Sequence, residues 1–144
     1  MIQIGQWKGY YSYSGEKVNK FRQFENTLFD IEILTVNGNF FTGKVQDDLG
    51  TGGTEGVGDI TGQIKGNGID FVKRMPVLTF IVDEKGTRKT FNKKHPPIFY
   101  TGEFTNDGQT VNGTWRFKFC FVWLGIIPIP IMPIKGAWSM TLQA

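Results

Sequence analysis

Hydrophobic and polar positions alternate with period two along almost the whole chain, the pattern of strands with one buried face. Trp7, Gly9, Tyr11 and Tyr13 share one parity, with Lys8, Ser12 and an out-of-place Tyr10 on the other. Phe29, Ile31 and Ile33 alternate with Asp30 and Glu32. Asn37-Gly38, both tolerant of positive φ, then predicts a tight hairpin turn into a strand carrying Phe41, Gly43 and Val45. Ile60, Gly62 and Ile64 repeat the pattern before the turn Gly66-Asn67-Gly68, after which Ile69, Phe71, Lys73 and Met75 share a parity. Val77 to Val82 is a short apolar run set apart by Pro76, and Asp83 to Pro97 reads as a long polar, basic turn or loop. Ile98, Tyr100, Gly102 and Phe104 alternate again, up to Asn106-Asp107-Gly108. The cleanest stripe is Val111, Gly113, Trp115, Phe117, Phe119 and Phe121; in the last strand Trp138, Met140 and Leu142 oppose Ala137, Ser139 and Thr141.

Only Glu16 to Leu28 competes as a helix, with Val18, Phe21, Phe24 and Leu28 near helical spacing, so one short helical turn near the N-terminus is the minority option. Short strands joined by Gly, Asn and Asp turns, with no crossover-length helices between them, predict an up-and-down antiparallel meander. Closing it removes exposed edges, and about eight strands leave an interior just wide enough for side chains or one small ligand. The expected fold is therefore all-β, a single antiparallel β-barrel domain over residues 1–144.

Composition narrows the class. The chain has 144 residues, 40% of them hydrophobic and 20% charged, including thirteen Phe and four Trp; that is ample apolar area for a core and argues against disorder. A net charge of +3 is too small for a dedicated nucleic-acid binder. The single cysteine, Cys120, has no disulfide partner and sits in an apolar run, so it reads as a small buried hydrophobe. The N-terminus lacks the layout of a signal peptide, and a cytoplasmic location is expected. The most apolar stretch, Phe119 to Ile134, carries Pro128, Pro130 and Pro133 and is shorter than a bilayer span of about 20 residues, so no transmembrane segment is expected.

Three segments share one formula: Gly5-Gln6-Trp7, Gly113-Thr114-Trp115 and Gly136-Ala137-Trp138. A glycine two residues before a tryptophan lies on the same strand face and lets the indole fold back or a neighbouring strand approach. Core packing is the main expectation for these indoles; a ligand-stacking platform is the alternative. With Asn37-Gly-Asn-Phe-Phe-Thr-Gly43, these residues resemble calycin-type barrels, the lipocalins and avidins. The chain is also similar to small barrel domains without an assigned activity, through Phe41-Thr-Gly43, Asp47-Asp-Leu-Gly50, Ile60-Thr-Gly62, Ile69-Asp-Phe-Val-Lys73 and Tyr100-Thr-Gly102. The resemblance implies a barrel and no particular chemistry. Avidin's biotin contacts do not transfer residue by residue. Haem binding of the nitrobindin type, which also opens on Gly-x-Trp-x-Gly, would want a C-terminal histidine that is lacking here, so no cofactor is implied.

Candidate chemistry is sparse. Lys73 shares parity with Phe71 and Met75. A buried ammonium needs a partner, so the favoured expectation is a frayed strand end or bulge that turns Lys73 outward. If it points inward, Tyr11, Tyr100 and Lys73 line one polar spot among aromatics. Asp47 to Asp59 holds four acids among five glycines but does not follow a calcium-loop spacing, and these are favoured turn residues, so no metal is expected. No acid–base pair or activated nucleophile emerges; Cys120 and the only histidine, His95, are not brought together by the pattern, and catalysis is not expected.

Two segments remain as binding candidates. Lys85 to His95 carries five basic side chains and one aromatic, which would suit single-stranded nucleic acid or another anion; a solvated loop is the preferred reading. Phe119 to Ile134 is too apolar for a free loop, and its alternating prolines are expected to forbid ladder pairing and hold it extended. It must lie across something apolar: its own barrel mouth, a second copy, a partner protein or lipid. The expected function is a non-enzymatic binding barrel, for a protein partner or a small apolar ligand. It would use the barrel mouth and this segment, with Trp7, Tyr11, Lys73, Tyr100, Trp115, Trp123, Ile127, Ile129, Ile131 and Trp138 as candidate site residues. A filled interior would favour the interaction module.

Overall fold

A computed structural model describes residues 2–15, 23–81, 87–118, 120–131 and 133–144. The strands in chain order are β1 (Gly5–Tyr13), β2 (Thr27–Asn37), β3 (Phe40–Asp47), β4 (Val57–Lys65), β5 (Gly68–Arg74), β6 (Leu78–Ile81), β7 (Arg88–Phe91), β8 (Ile98–Phe104), β9 (Thr110–Phe117), β10 (Cys120–Leu124), β11 (Ile127–Ile131) and β12 (Ile134–Leu142). Eight of them close an antiparallel barrel in the order β1-β2-β3-β4-β5-β8-β9-β12, with β12 returning to β1. Apart from the closing β12–β1 pair, every barrel pairing is between successive barrel strands, the up-and-down meander expected from the turns. The remaining four form two separate hairpins, β6–β7 and β10–β11.

The period-two pattern becomes the inside and outside of the barrel. In β2, for example, Phe29, Ile31 and Ile33 are buried and Asp30 and Glu32 are exposed. Ile2 and Trp7 are buried at the end of the barrel that carries the chain termini and the short β2–β3, β4–β5 and β8–β9 connections. All the long connections gather at the opposite end: β1–β2, β3–β4, and the two that carry β6–β7 and β10–β11.

Closure depends on an arrangement only partly anticipated. Gly136 lies opposite Trp115, and Gly113 opposite Trp138, across the β9–β12 pairing. Each tryptophan thus crosses the glycine of the other triplet. The Trp115 indole N–H passes over β12 to donate to the carbonyl of Ser12 in β1, at 3.0 Å. The Trp138 indole passes the other way to the carbonyl of Thr101 in β8, at 3.0 Å, and that of Thr114, at 3.1 Å. A Cβ on Gly136 would lie 2.6 Å from the Trp115 indole nitrogen and collide with the Ser12 carbonyl. The two indoles therefore tie four adjacent strands, β8, β9, β12 and β1.

Three local expectations need correction. The supposed basic loop contains β7, paired with β6 and tied across the ladder by Thr79 and Thr90, whose hydroxyl oxygens are 3.0 Å apart. The stripe from Val111 ends at Phe117, and Phe121 belongs to the next hairpin. The prolines do not prevent pairing: Pro128 and Pro130 stand opposite Trp123 and Phe121 in the β10–β11 ladder. With a two-residue turn at Gly125-Ile126, alternate positions of β11 direct their backbone N–H away from β10, so a proline there loses no ladder bond. Gly125, at φ +65°, supplies the positive φ that this turn requires at its first position. The one helical element among the described residues is a 3-10 turn at Leu49–Thr51. Residues 16–22 of the N-terminal helical option lie outside the described residues, while Thr27 and Leu28 are in β2.

Trp115→Ala should destabilise the fold by about 3–5 kcal/mol, and Gly136→Ala by about 1–3 kcal/mol, through overpacking of the same crossing. Urea denaturation checks both; a Gly136→Ala midpoint equal to wild type would mean that the close approach is not a constraint.

Candidate functional site

Lys73 points inward. Its side chain is 3% exposed and pairs with Asp47, whose side chain is 1% exposed, at Nζ–Oδ1 2.6 Å. This overturns the preferred expectation of an outward turn: β5 stays paired through Lys73, to Ile60 on one side and Ile98 on the other, so the strand end does not fray at this residue. Asp47 is the partner that parity in β3 selects, following Phe41, Gly43 and Val45 on the inner face. It is the residue that reading the acidic glycine-rich stretch as a loop obscured.

The Asp47 carboxylate accepts three hydrogen bonds. Besides Lys73, the Tyr11 hydroxyl donates to Oδ2 at 3.0 Å, and so does the backbone N–H of Thr54 at 3.1 Å. Three donors on one buried carboxylate offset its desolvation, which an unpaired charge could not do. The Lys73 ammonium also lies 4.8 Å from the centre of the Tyr11 ring and 5.9 Å from those of Phe29 and Tyr100, placing its charge over π faces. Among the described residues Asp47 is its only hydrogen-bond acceptor.

Around the pair the aromatic side chains form two layers. Towards the short-turn end, Phe71 stacks on Tyr100 at 4.7 Å and meets Trp138 edge-on at 5.3 Å and Phe41 at 6.2 Å. Towards the long-loop end, Trp115 packs edge-on against Tyr13 at 4.8 Å and Tyr11 at 5.9 Å, and Tyr11 lies 6.3 Å from Phe29. Lys73 sits where the layers meet. Phe117 and His95 extend the upper layer towards the mouth, with their rings 5.7 Å apart. Two groups of rings in mutual contact, with the Lys73 ammonium between Tyr11 and Tyr100, thus line the barrel interior.

His95 Nδ1 lies 2.7 Å from the Pro96 carbonyl, which can only accept, so Nδ1 carries the proton. Burial holds the imidazole pKa below the ordinary histidine value; the Pro96 hydrogen bond and the Asp47 charge oppose that shift, and the Lys73 charge reinforces it. Tyr100 is pushed well above the usual phenol range, first by burial and then by the charge of Asp47 and by Tyr13, so its hydroxyl stays protonated.

The candidate residues therefore separate. Tyr11, Lys73, Tyr100 and Trp115 come together, joined by Asp47, Tyr13, Phe29 and His95, which sequence reasoning did not select. Trp138 belongs to the lower layer. Trp7 is buried near the terminal end, its indole donating to the Gln3 carbonyl at 3.1 Å, and it does not join the cluster. Trp123 and Ile127 are exposed on the β10–β11 hairpin, whereas Ile129 is half-buried against the core and Ile131 is part of it. The hairpin is thus two-faced. Cys120, Val122, Ile129 and Ile131 turn towards the barrel, and Phe121, Trp123, Pro128 and Pro130 turn away from it.

The other loops are occupied with their own structure. Asp48 caps the 3-10 turn, and Asp59 pairs with Lys44 on the barrel exterior. Arg88 donates to the carbonyls of Gly53 and Leu49, tying β7 to the β3–β4 connection, while Lys89, Lys93 and Lys94 are exposed. No family model matches this chain, and no curated protein and no solved structure matches it either.

Asp47→Ala should cost about 3–5 kcal/mol, because it leaves Lys73 charged and buried. Adding Lys73→Met should recover part of that loss; additive losses in urea midpoints would show that the two charges are not coupled. His95 yields a pH signature. Its pKa is depressed in the folded state, so it contributes stability that is complete above the unfolded value near 6.5 and is lost as the pH falls through the folded value. His95→Gln should flatten the fall in unfolding free energy below that pH; an unchanged slope would place the titration elsewhere.

Proposed function

We propose that this protein is a non-enzymatic binding barrel that docks onto an apolar surface through its β10–β11 hairpin. The observation that carries this reading is the hairpin's outward face, where Trp123 and Phe121 are more than half exposed and the turn residue Ile126 is 92% exposed. Exposed apolar groups gathered on one projecting element are a mark of an interaction surface. The contacting rings inside the barrel support the same choice, since they occupy the space that a large internal ligand would need. The avidin- and lipocalin-like resemblance belongs here as kinship of architecture, with the working surface moved from the interior to the mouth.

A second reading, a small apolar ligand with a polar head held at the mouth, draws on two buried groups. Lys73 has one acceptor, and the Tyr100 hydroxyl makes no hydrogen bond among the described residues.

Retention on a phenyl-derivatised matrix separates the hairpin from the rest of the surface. Trp123→Ser with Ile126→Ser should shorten retention markedly without shifting the melting temperature. Phe40→Ser, a change of a 65% exposed aromatic at the opposite end, should not. Retention that followed Phe40 instead would refute docking through the hairpin.

A further inference from the structure

We infer that the surface on which the hairpin docks is an anionic lipid membrane; this rests on the docking reading above and names its partner. The root of the hairpin carries a cluster of cationic side chains. A groove of about 400 Å³ there is lined by Arg116, Phe117, Lys118, Pro133, Ile134 and Lys135. Three of these six residues are cationic and exposed, and none is acidic. Arg116 and Lys135 stand directly opposite each other in the β9–β12 ladder, where like charges destabilise the pairing. Arg116 and Lys118 both lie over the Phe99 ring, at 5.5 and 5.4 Å, which brings Lys118 in as the third positive charge. None of the three has a carboxylate partner among the described residues. Such a cluster is relieved by an external anion.

The order of chemistry along the hairpin selects a membrane over a protein groove. The cations flank its root, with Lys118 just before β10 and Lys135 just after β11. Phe121 and Trp123 follow on the outer face, opposite Pro130 and Pro128. At the tip Ile126 is 92% and Ile127 59% exposed, with no charged residue between Lys118 and Lys135. Cation, aromatic and aliphatic layers in that sequence match anionic headgroups, the interfacial zone that favours tryptophan, and the edge of the acyl chains. Beyond Val122 and Ile129, which pack against the core, each strand runs two residues further to the turn, about 7 Å, comparable to a headgroup layer of about 5–8 Å. The turn closes its own backbone hydrogen bonds within the ladder, and the prolines lack an outward N–H that would have to be desolvated. No helix among the described residues is long and apolar enough to cross a membrane, and the arrangement argues for attachment at the interface.

Co-sedimentation of the purified protein with phosphatidylcholine vesicles, with and without phosphatidylglycerol, tests the inference. Binding should require phosphatidylglycerol and weaken as salt rises. Lys118→Gln and Lys135→Gln should each weaken it about fivefold, and together about thirtyfold. Trp123→Ser with Ile126→Ser should abolish it, with circular dichroism confirming that each variant remains folded. No binding to phosphatidylglycerol vesicles at low salt would overturn the inference, as would equal binding to pure phosphatidylcholine that ignores the lysines. If the protein passes over both vesicles yet still depends on Trp123 and Ile126 for retention on the phenyl matrix, docking stands and lipid is excluded. A concentration-dependent dimer lost in the same double variant would assign the face to a second copy instead.

Discussion

The reciprocal crossing of Trp115 and Trp138 over Gly136 and Gly113 is the constraint on which the rest of the barrel depends. It brings the last strand close enough to both its neighbours for each indole to reach a carbonyl beyond the adjacent strand. Closure fixes which parity of every strand faces inward, and with it the burial of Lys73 and Asp47. Closure also divides the molecule into two unlike ends. Tight turns and the buried Ile2 and Trp7 finish one end, while all the long connections collect at the other.

Two charges in an aromatic interior are costly, and a fold that only needed stability would do as well with apolar side chains of similar volume. Here the pair sits where the two aromatic layers meet, and Asp47 reaches out of the core to the β3–β4 connection through the Thr54 N–H. The carboxylate thus links the barrel wall to the loop that Arg88 in turn links to β7. A polar buried network of this kind, fully satisfied around the carboxylate, holds the mouth in one arrangement. The projecting β10–β11 hairpin leaves from that same end.

The fold was legible because a barrel repeats one simple rule, alternation broken by turn residues. It failed where the rule was not the whole of the physics. Parity placed Lys73 inward, but the cost of an unpaired ammonium argued against it, and the missing information was Asp47, distant in sequence and at the edge of an apparent loop. The Gly-x-Trp spacing signalled close packing, yet the glycine that accommodates each indole lies on the neighbouring strand, a relation that exists only once the register is set. Alternate prolines in β11 looked like a barrier to pairing. They are compatible with a ladder partnered on one side, which cannot be read without knowing that β11 has a single neighbour. The apolar segment stands out in the sequence, but its division into a barrel-facing and an outward face emerges only from the hairpin register.

The four tryptophans make the central claim, that the outward face of the hairpin is the working surface, directly measurable. Trp7, Trp115 and Trp138 are buried with their indole N–H groups bonded to backbone carbonyls, whereas Trp123 is 57% exposed. In nitrogen–proton correlation spectra, addition of bicelles containing phosphatidylglycerol should broaden or shift the Trp123 indole signal and leave the other three in place. Movement of the Trp115 signal with Trp123 unchanged would put binding inside the barrel mouth and contradict the account.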